Sequence, residues 1–275
     1  MRTPSTHHAR ATRLAVAGLA VLGVVAFPSV VAAAPTEHGS SSGPKPTIVL
    51  EHGAWADGSS WSGVVTRLQK DGYTVAVPPN PLRGVAADSA YLASYLATVP
   101  GPIVLVGHSY GGFVTTNAAT GNTNVKALVY VDAYIPAQGE TLNGLTTQFP
   151  GSQIAPTALS FVPSAGGVDA YVQPTQFGAI LANDLSATQV GELAATQRPI
   201  AASTLGEVSG PPAWTTTPSW AVIGTEDHAI PPAALRFMAQ RAHAAVTTIA
   251  ASHLSLISQP AAVTSVIERA ARHTS

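Results

Sequence analysis

Ile103-Val104-Leu105-Val106-Gly107-His108-Ser109-Tyr110-Gly111-Gly112 is the stretch on which the reading of this chain turns. Four consecutive apolar residues run straight into Gly-x-Ser-x-Gly, and a helical pattern runs out of it from Gly111 to Ala119. A short apolar run that ends at a turn signal reads as a buried strand, so Ser109 stands where a strand turns sharply into a helix. Such a turn strains the backbone of its central residue, and side chains two positions to either side would collide. Gly107 and Gly111 remove both collisions. The same pattern recurs at Gly39-Ser40-Ser41-Ser42-Gly43, but no strand precedes that copy and no helix follows it, so it reads as linker.

Working outward, residues 47–51, 73–77 and 125–131 read as strands, while 61–70 and 86–98 carry helical spacing. After a gap, strands at 219–223 and 245–249 alternate with helices at 231–242 and 259–272. Continuous apolar strands alternating with amphipathic helices predict a doubly wound, mostly parallel α/β sheet covered on both faces. This domain spans 47–275. Its alternation lapses at about 137–218, a Gln-, Thr-, Ala- and Pro-rich insertion with scattered aromatics and one clear helix near 186–196. The insertion is expected to form a lid over the carboxyl ends of the strands, where open α/β sheets bind ligands. A small separate domain is the alternative.

Residues 1–33 read as a secretory signal peptide. Arg2, Arg10 and Arg13 give a basic start, an apolar run covers 14–27, and Pro28 and Ser29 precede a small-residue cleavage region near Ala32 and Ala33. The run is shorter than the roughly 18 to 20 apolar residues that a membrane span needs, which argues against a stable anchor. Residues 34–46 form a flexible Ser/Gly/Pro linker. The expected location is therefore extracellular. With no cysteine, the chain has neither disulfides nor thiolate chemistry. A formal net charge of -1, only 10% charged residues and no basic cluster make nucleic acid an unexpected partner. Its nine histidines are scattered without ligand spacing, so no metal site is predicted.

A serine hydroxyl requires a base, and the base an orienting carboxylate. Later in the chain, Asp227 follows the strand at 219–223 and His253 follows the strand at 245–249, so both fall in loops at the sheet edge that holds Ser109. They are the candidate acid and base. Two other acids compete: Glu226, next to Asp227, and Asp132, at the end of the strand 125–131. The oxyanion donors are assigned to the backbone N–H groups of Ala54, in the loop after the first strand, and Tyr110, after the nucleophile. Gly53, Trp61, Tyr134, Trp214 and Leu254 are the candidate substrate-pocket residues. His52 and His108 read as structural, and His228 as solvated.

From residue 47 onward the chain resembles the α/β-hydrolase superfamily, and within it the branch of plant methylesterases and hydroxynitrile lyases with bacterial relatives. The matching residues are His52-Gly53-Ala54 leading to Trp61, Gly107 to Gly112, Thr225-Glu226-Asp227 with Ile230-Pro231, and Ser252-His253-Leu254. The resemblance implies a Ser-His-Asp triad, a two-amide oxyanion hole, no cofactor, and acyl-enzyme chemistry on a small-molecule ester. A cofactor-free haloperoxidase or perhydrolase, and a hydroxynitrile lyase, are the alternatives on the same triad. The lyases carry Thr where this chain has Gly53 and Lys where it has Leu254. A threonine at 53 is expected to crowd the oxyanion hole.

Overall fold

The structure, a computed structural model, describes residues 45–274, so the expected signal peptide and all but the last two residues of the expected linker lie outside the described residues. In chain order the elements are β1 (Thr47–Glu51), α1 (Ser62–Lys70), β2 (Val75–Ala76), α2 (Val85–Leu96), β3 (Ile103–His108), α3 (Gly111–Ala118), β4 (Val125–Val131), α4 (Leu142–Thr147), β5 (Leu159–Ser164), β6 (Gly167–Val172), α5 (Pro174–Leu181), α6 (Ala187–Thr196), β7 (Ile200–Ala201), β8 (Ser219–Gly224), α7 (Pro232–Arg241), β9 (Ala245–Ile249), α8 (Ser255–Ser258) and α9 (Pro260–His273).

Among the described residues, six strands form one parallel sheet in the order β2-β1-β3-β4-β8-β9. Every residue of β3 is buried, as are all but Lys126 of β4, because helices cover both faces: α3 packs on β1, β3 and β4, and α9 on β3, β4 and β8. From β1 the chain moves out to β2 and then crosses back to β3 on the other side. The order thus reverses between β1 and β3, which opens a crevice at their carboxyl ends. The loop after β1 and the turn after β3 both face it. At the edge, β2 is shorter than the expected 73–77, pairing with β1 only through Val75 and Ala76. Pro78 and Pro79 follow, and neither has an N–H to extend the ladder.

Between β4 and β8 the insertion is more ordered than its composition suggests. Its expected helix is α6, started by a capping box in which Ser186 and Gln189 bond reciprocally. Around it lie α4, α5 and a three-stranded antiparallel sheet ordered β5-β6-β7, none of which periodicity marked. The β5–β6 hairpin escapes notice for a physical reason. Phe161, Val162 and Val168 sit on it about half exposed, so its apolar residues do not alternate cleanly between core and solvent.

Candidate active site

Ser109 has φ 52°, in the left-handed region that a non-glycine residue occupies only under constraint. Its neighbours supply the constraint. A Cβ on Gly107 would lie 2.7 Å from the Gly111 carbonyl oxygen, one on Gly111 2.7 Å from that of Glu51, and one on Gly112 2.0 Å from that of Tyr134. The turn is therefore packed backbone to backbone, and the Ser109 carbonyl accepts the Gly112 N–H at 2.9 Å.

β8 and β9 deliver the other two groups. His253 Nε2 lies 2.8 Å from Ser109 Oγ, and His253 Nδ1 lies 2.8 Å from Asp227 Oδ2. Asp227 is anchored through its other oxygen, which accepts the N–H groups of Ala229 and Ile230, each at 2.8 Å. A carboxylate facing Nδ1 calls for a proton there and leaves the Nε2 lone pair toward the serine hydroxyl. Burial lowers the His253 imidazole from the ordinary histidine value to about 3. Burial also raises the carboxyl of Asp227, opposed by its two backbone donors. Burial thus disfavours a positive charge on the resting imidazole, so Nε2 remains a proton acceptor.

The competing acids lie elsewhere. Asp132 is fully buried, but its oxygens accept the Gly224 N–H at 2.6 Å and the Ser255 hydroxyl, and it makes no bond to His253. Burial, and then the proximity of Asp227, raise its carboxyl well above the usual range. Glu226 is exposed. His52 accepts the Asn80 N–H at Nε2 and donates from Nδ1 to the Gly53 carbonyl, while His108 donates from Nε2 to the His253 carbonyl. Both therefore brace the loops of the site. His228, expected to be solvated, is half-buried and bonds the Ala179 carbonyl at 2.9 Å.

The backbone N–H groups of Ala54 and Tyr110 donate to no protein acceptor among the described residues. Both residues line, with Ser109, a cavity of about 310 Å³. Its walls are mostly apolar: Trp55 and Tyr134 come from the sheet side, while Leu142, Ile154, Leu159, Phe161, Ile200 and Leu205 come from the insertion. None of the lining side chains is charged.

Residues 48–266 match the Alpha/beta hydrolase family. The chain belongs to that family. Over 111 residues, 36% of the chain, this hydrolase is 33% identical to a carbendazim hydrolyzing esterase of Nocardioides sp. (strain SG-4G), and the match spans 46% of that protein's length. Among solved structures the hydrolase superposes on polyneuridine aldehyde esterase with TM-score 0.71 at 18% identity, covering 82% of this chain and 99% of that one. An extracellular α/β-hydrolase from a Paenibacillus species gives TM-score 0.69 at 21% identity, with 82% and 99% covered. A pyrethroid hydrolase from Sphingobium faniae JZ-2 gives 0.66 at 21%, with 82% and 96% covered. At these identities the structural likenesses speak for the fold.

Of the five expected pocket residues of the hydrolase, Tyr134 lines the cavity with Ser109 and the other four do not. Trp61 has no exposed surface and packs edge-on to His108 with ring centres 6.4 Å apart, as a core residue. Trp214 points away, donating to the Pro136 carbonyl at 2.8 Å beneath the Arg241 guanidinium. Leu254 faces a separate small cleft with Trp55, Phe177 and Ile257. Gly53 packs against Ser109, where a Cβ would come within 2.6 Å of Ser109 Cβ. A side chain there would therefore strike Ser109 itself. Sequence reasoning missed Trp55 and the wall residues of the insertion. Only the scatter of aromatics that includes Phe161 hinted at the latter.

Proposed function

We propose that this hydrolase is an exported serine esterase that cleaves uncharged carboxylic esters through an acyl-enzyme. In acylation, Ser109 Oγ attacks the carbonyl carbon while His253 Nε2 takes its proton, and the oxyanion is held by the N–H groups of Ala54 and Tyr110. His253 then gives the proton to the leaving alcohol. Water enters, His253 removes its proton, the acid is released and Ser109 regains its hydrogen. Asp227 stays ionised and steadies the imidazolium at each step.

The observation that carries this reading is the hydrogen-bonded chain from Ser109 through His253 to Asp227, each link 2.8 Å, opening onto an apolar cavity. A cavity of about 310 Å³ stands at the small end of ligand sites, which run roughly 300 to 1,000 Å³. Absence of charge on its walls favours neutral substrates, since a charged group would be desolvated there without a partner. The similarity to a carbendazim hydrolyzing esterase points the same way. Export rests on the sequence of residues 1–33. The test of the chemistry is Ser109→Ala assayed against nitrophenyl esters of increasing chain length. Turnover is expected to fall by roughly 10⁶-fold while the fold persists, because a triad acts as a unit. Undiminished turnover would reject the assignment.

A further inference from the structure

Both candidate oxyanion donors are tethered to one strand of the insertion. Ala54 is followed by Trp55, whose Nε1–H donates to the Ala170 carbonyl on β6 at 2.9 Å and whose backbone N–H donates to the Arg198 carbonyl at 2.9 Å. Tyr110 is reached through its side chain. Its buried hydroxyl donates to Asp88 Oδ2 at 2.7 Å. Asp88, in the first turn of α2, also accepts the N–H of Arg83 at 3.0 Å and of Gly84 at 3.3 Å. Arg83 in turn pairs through Nη1 with Asp169 at 2.6 Å. Asp169 and Ala170 are consecutive on β6 and lie opposite Ala201 and Ile200 of β7, and Ile200 lines the cavity.

An oxyanion donor works only within a few tenths of an ångström of its target distance, and the Tyr110 N–H has no protein acceptor of its own to hold it there. The peptide plane that carries it is held at its other end by the Ser109 carbonyl, which accepts the Gly112 N–H at 2.9 Å and the Tyr134 N–H at 3.3 Å, and the Tyr110 hydroxyl on Asp88 anchors the residue on the side facing α2. We infer that Asp88 and the Arg83–Asp169 ion pair are positioning residues for the oxyanion hole. They add a hold on Tyr110 from β6, as Trp55 does for Ala54, so the wall that shapes the substrate cavity also helps to set the hole. The inference rests on Ala54 and Tyr110 being the oxyanion donors.

Tyr110→Phe tests it with little risk to folding, since the ring stays and Asp88 keeps its two backbone donors. With nitrophenyl acetate, kcat is expected to fall about tenfold, a fraction of the 10² to 10³ that loss of a whole donor costs. KM stays within twofold. Inhibition by a trifluoromethyl ketone, which forms the tetrahedral oxyanion on a serine, weakens by the same factor as kcat. Asp169→Asn is expected to lower kcat about threefold, and the double variant to be no slower than Tyr110→Phe alone, because residues acting through one chain do not add. A Tyr110→Phe enzyme with kcat within twofold of the parent, a loss carried by KM, or fully additive losses would each overturn the proposal. Ser109→Ala is run alongside. If it is inert while Tyr110→Phe is unimpaired, the positioning idea alone fails; if it is active, the catalytic reading beneath it fails too.

Discussion

Asp227→Asn probes the site more sharply than removal of the nucleophile, because existing hydrogen bonds dictate which way the new amide must face. Asp227 Oδ1 sits against two buried N–H donors, from Ala229 and Ile230, each at 2.8 Å. An amide nitrogen turned toward them would leave buried donors without acceptors, at about 1 to 3 kcal/mol each. The amide oxygen therefore takes that side, and its NH₂ faces His253 Nδ1, now 2.8 Å from a carboxylate oxygen. Facing a donor, the imidazole must accept at Nδ1 and carry its proton on Nε2, pointed at Ser109. In that tautomer it cannot receive the serine proton. The expected loss in kcat/KM is about 10⁴-fold, or roughly 5.5 kcal/mol of transition-state stabilisation. The assay is nitrophenyl butyrate hydrolysis at pH 7, with thermal unfolding to confirm that the variant is folded. Asp132→Asn is the companion. Its amide oxygen can keep the Gly224 N–H and its nitrogen can donate to Ser255 Oγ, so activity should stay within about tenfold. A crippled Asp132→Asn enzyme beside an active Asp227→Asn enzyme would refute the reasoning.

Three further outcomes are expected. An unperturbed histidine base would place the acid limb of kcat/KM near pH 6 to 7; because burial lowers His253, the base stays unprotonated as pH falls through that range, so the midpoint should lie below pH 6, with about a tenfold fall per unit beneath it. A pH profile on nitrophenyl acetate with its midpoint at 6.5 or higher would contradict this. Gly53→Ala should push the Ser109 turn out of place, since its Cβ would stand 2.6 Å from Ser109 Cβ and 3.0 Å from the His108 carbonyl oxygen. Overpacking of this kind costs about 1 to 3 kcal/mol, so a lowered Tm together with at least a hundredfold loss of kcat is expected, and wild-type values of both would count against the packing argument. Finally, with Leu254 where a lyase carries Lys, mandelonitrile should release no cyanide above the uncatalysed rate. Rapid release by an enzyme inert to nitrophenyl esters would make lyase chemistry the better reading.

The sheet and the residues at its carboxyl edge were legible because their signals are local. Strands such as 103–106 and 219–224 are apolar or nearly so, and Ser109, Asp227 and His253 each lie within a few residues of a strand's carboxyl end, so their spatial meeting is a corollary of parallel topology. The cavity wall was not legible for the opposite reason. Leu142, Leu159 and Ile200 come from elements of six, six and two residues, which leave no period to read. Trp61 and Trp214 were expected in the pocket but do not line it. Their environments, a core position and a stack under Arg241, depend on contacts that no window of sequence contains. Likewise, Gly53 was recognised as important, but the direction in which its missing side chain would point required the coordinates.

The insertion between β4 and β8 divides labour along the chain. The groups proposed to break and make bonds ride on the sheet, whereas most of the cavity lining is carried by one continuous segment, 142–205. Such a division makes substrate preference exchangeable: a grafted segment of similar span could in principle retune the enzyme without disturbing its chemistry. Two points limit the exchange. Any replacement has to present a carbonyl to the Trp55 indole and a carboxylate to Arg83, at the places now held by Ala170 and Asp169. A library that randomises the wall while holding those two contacts should yield many active enzymes of altered preference, and one that randomises them as well should yield few.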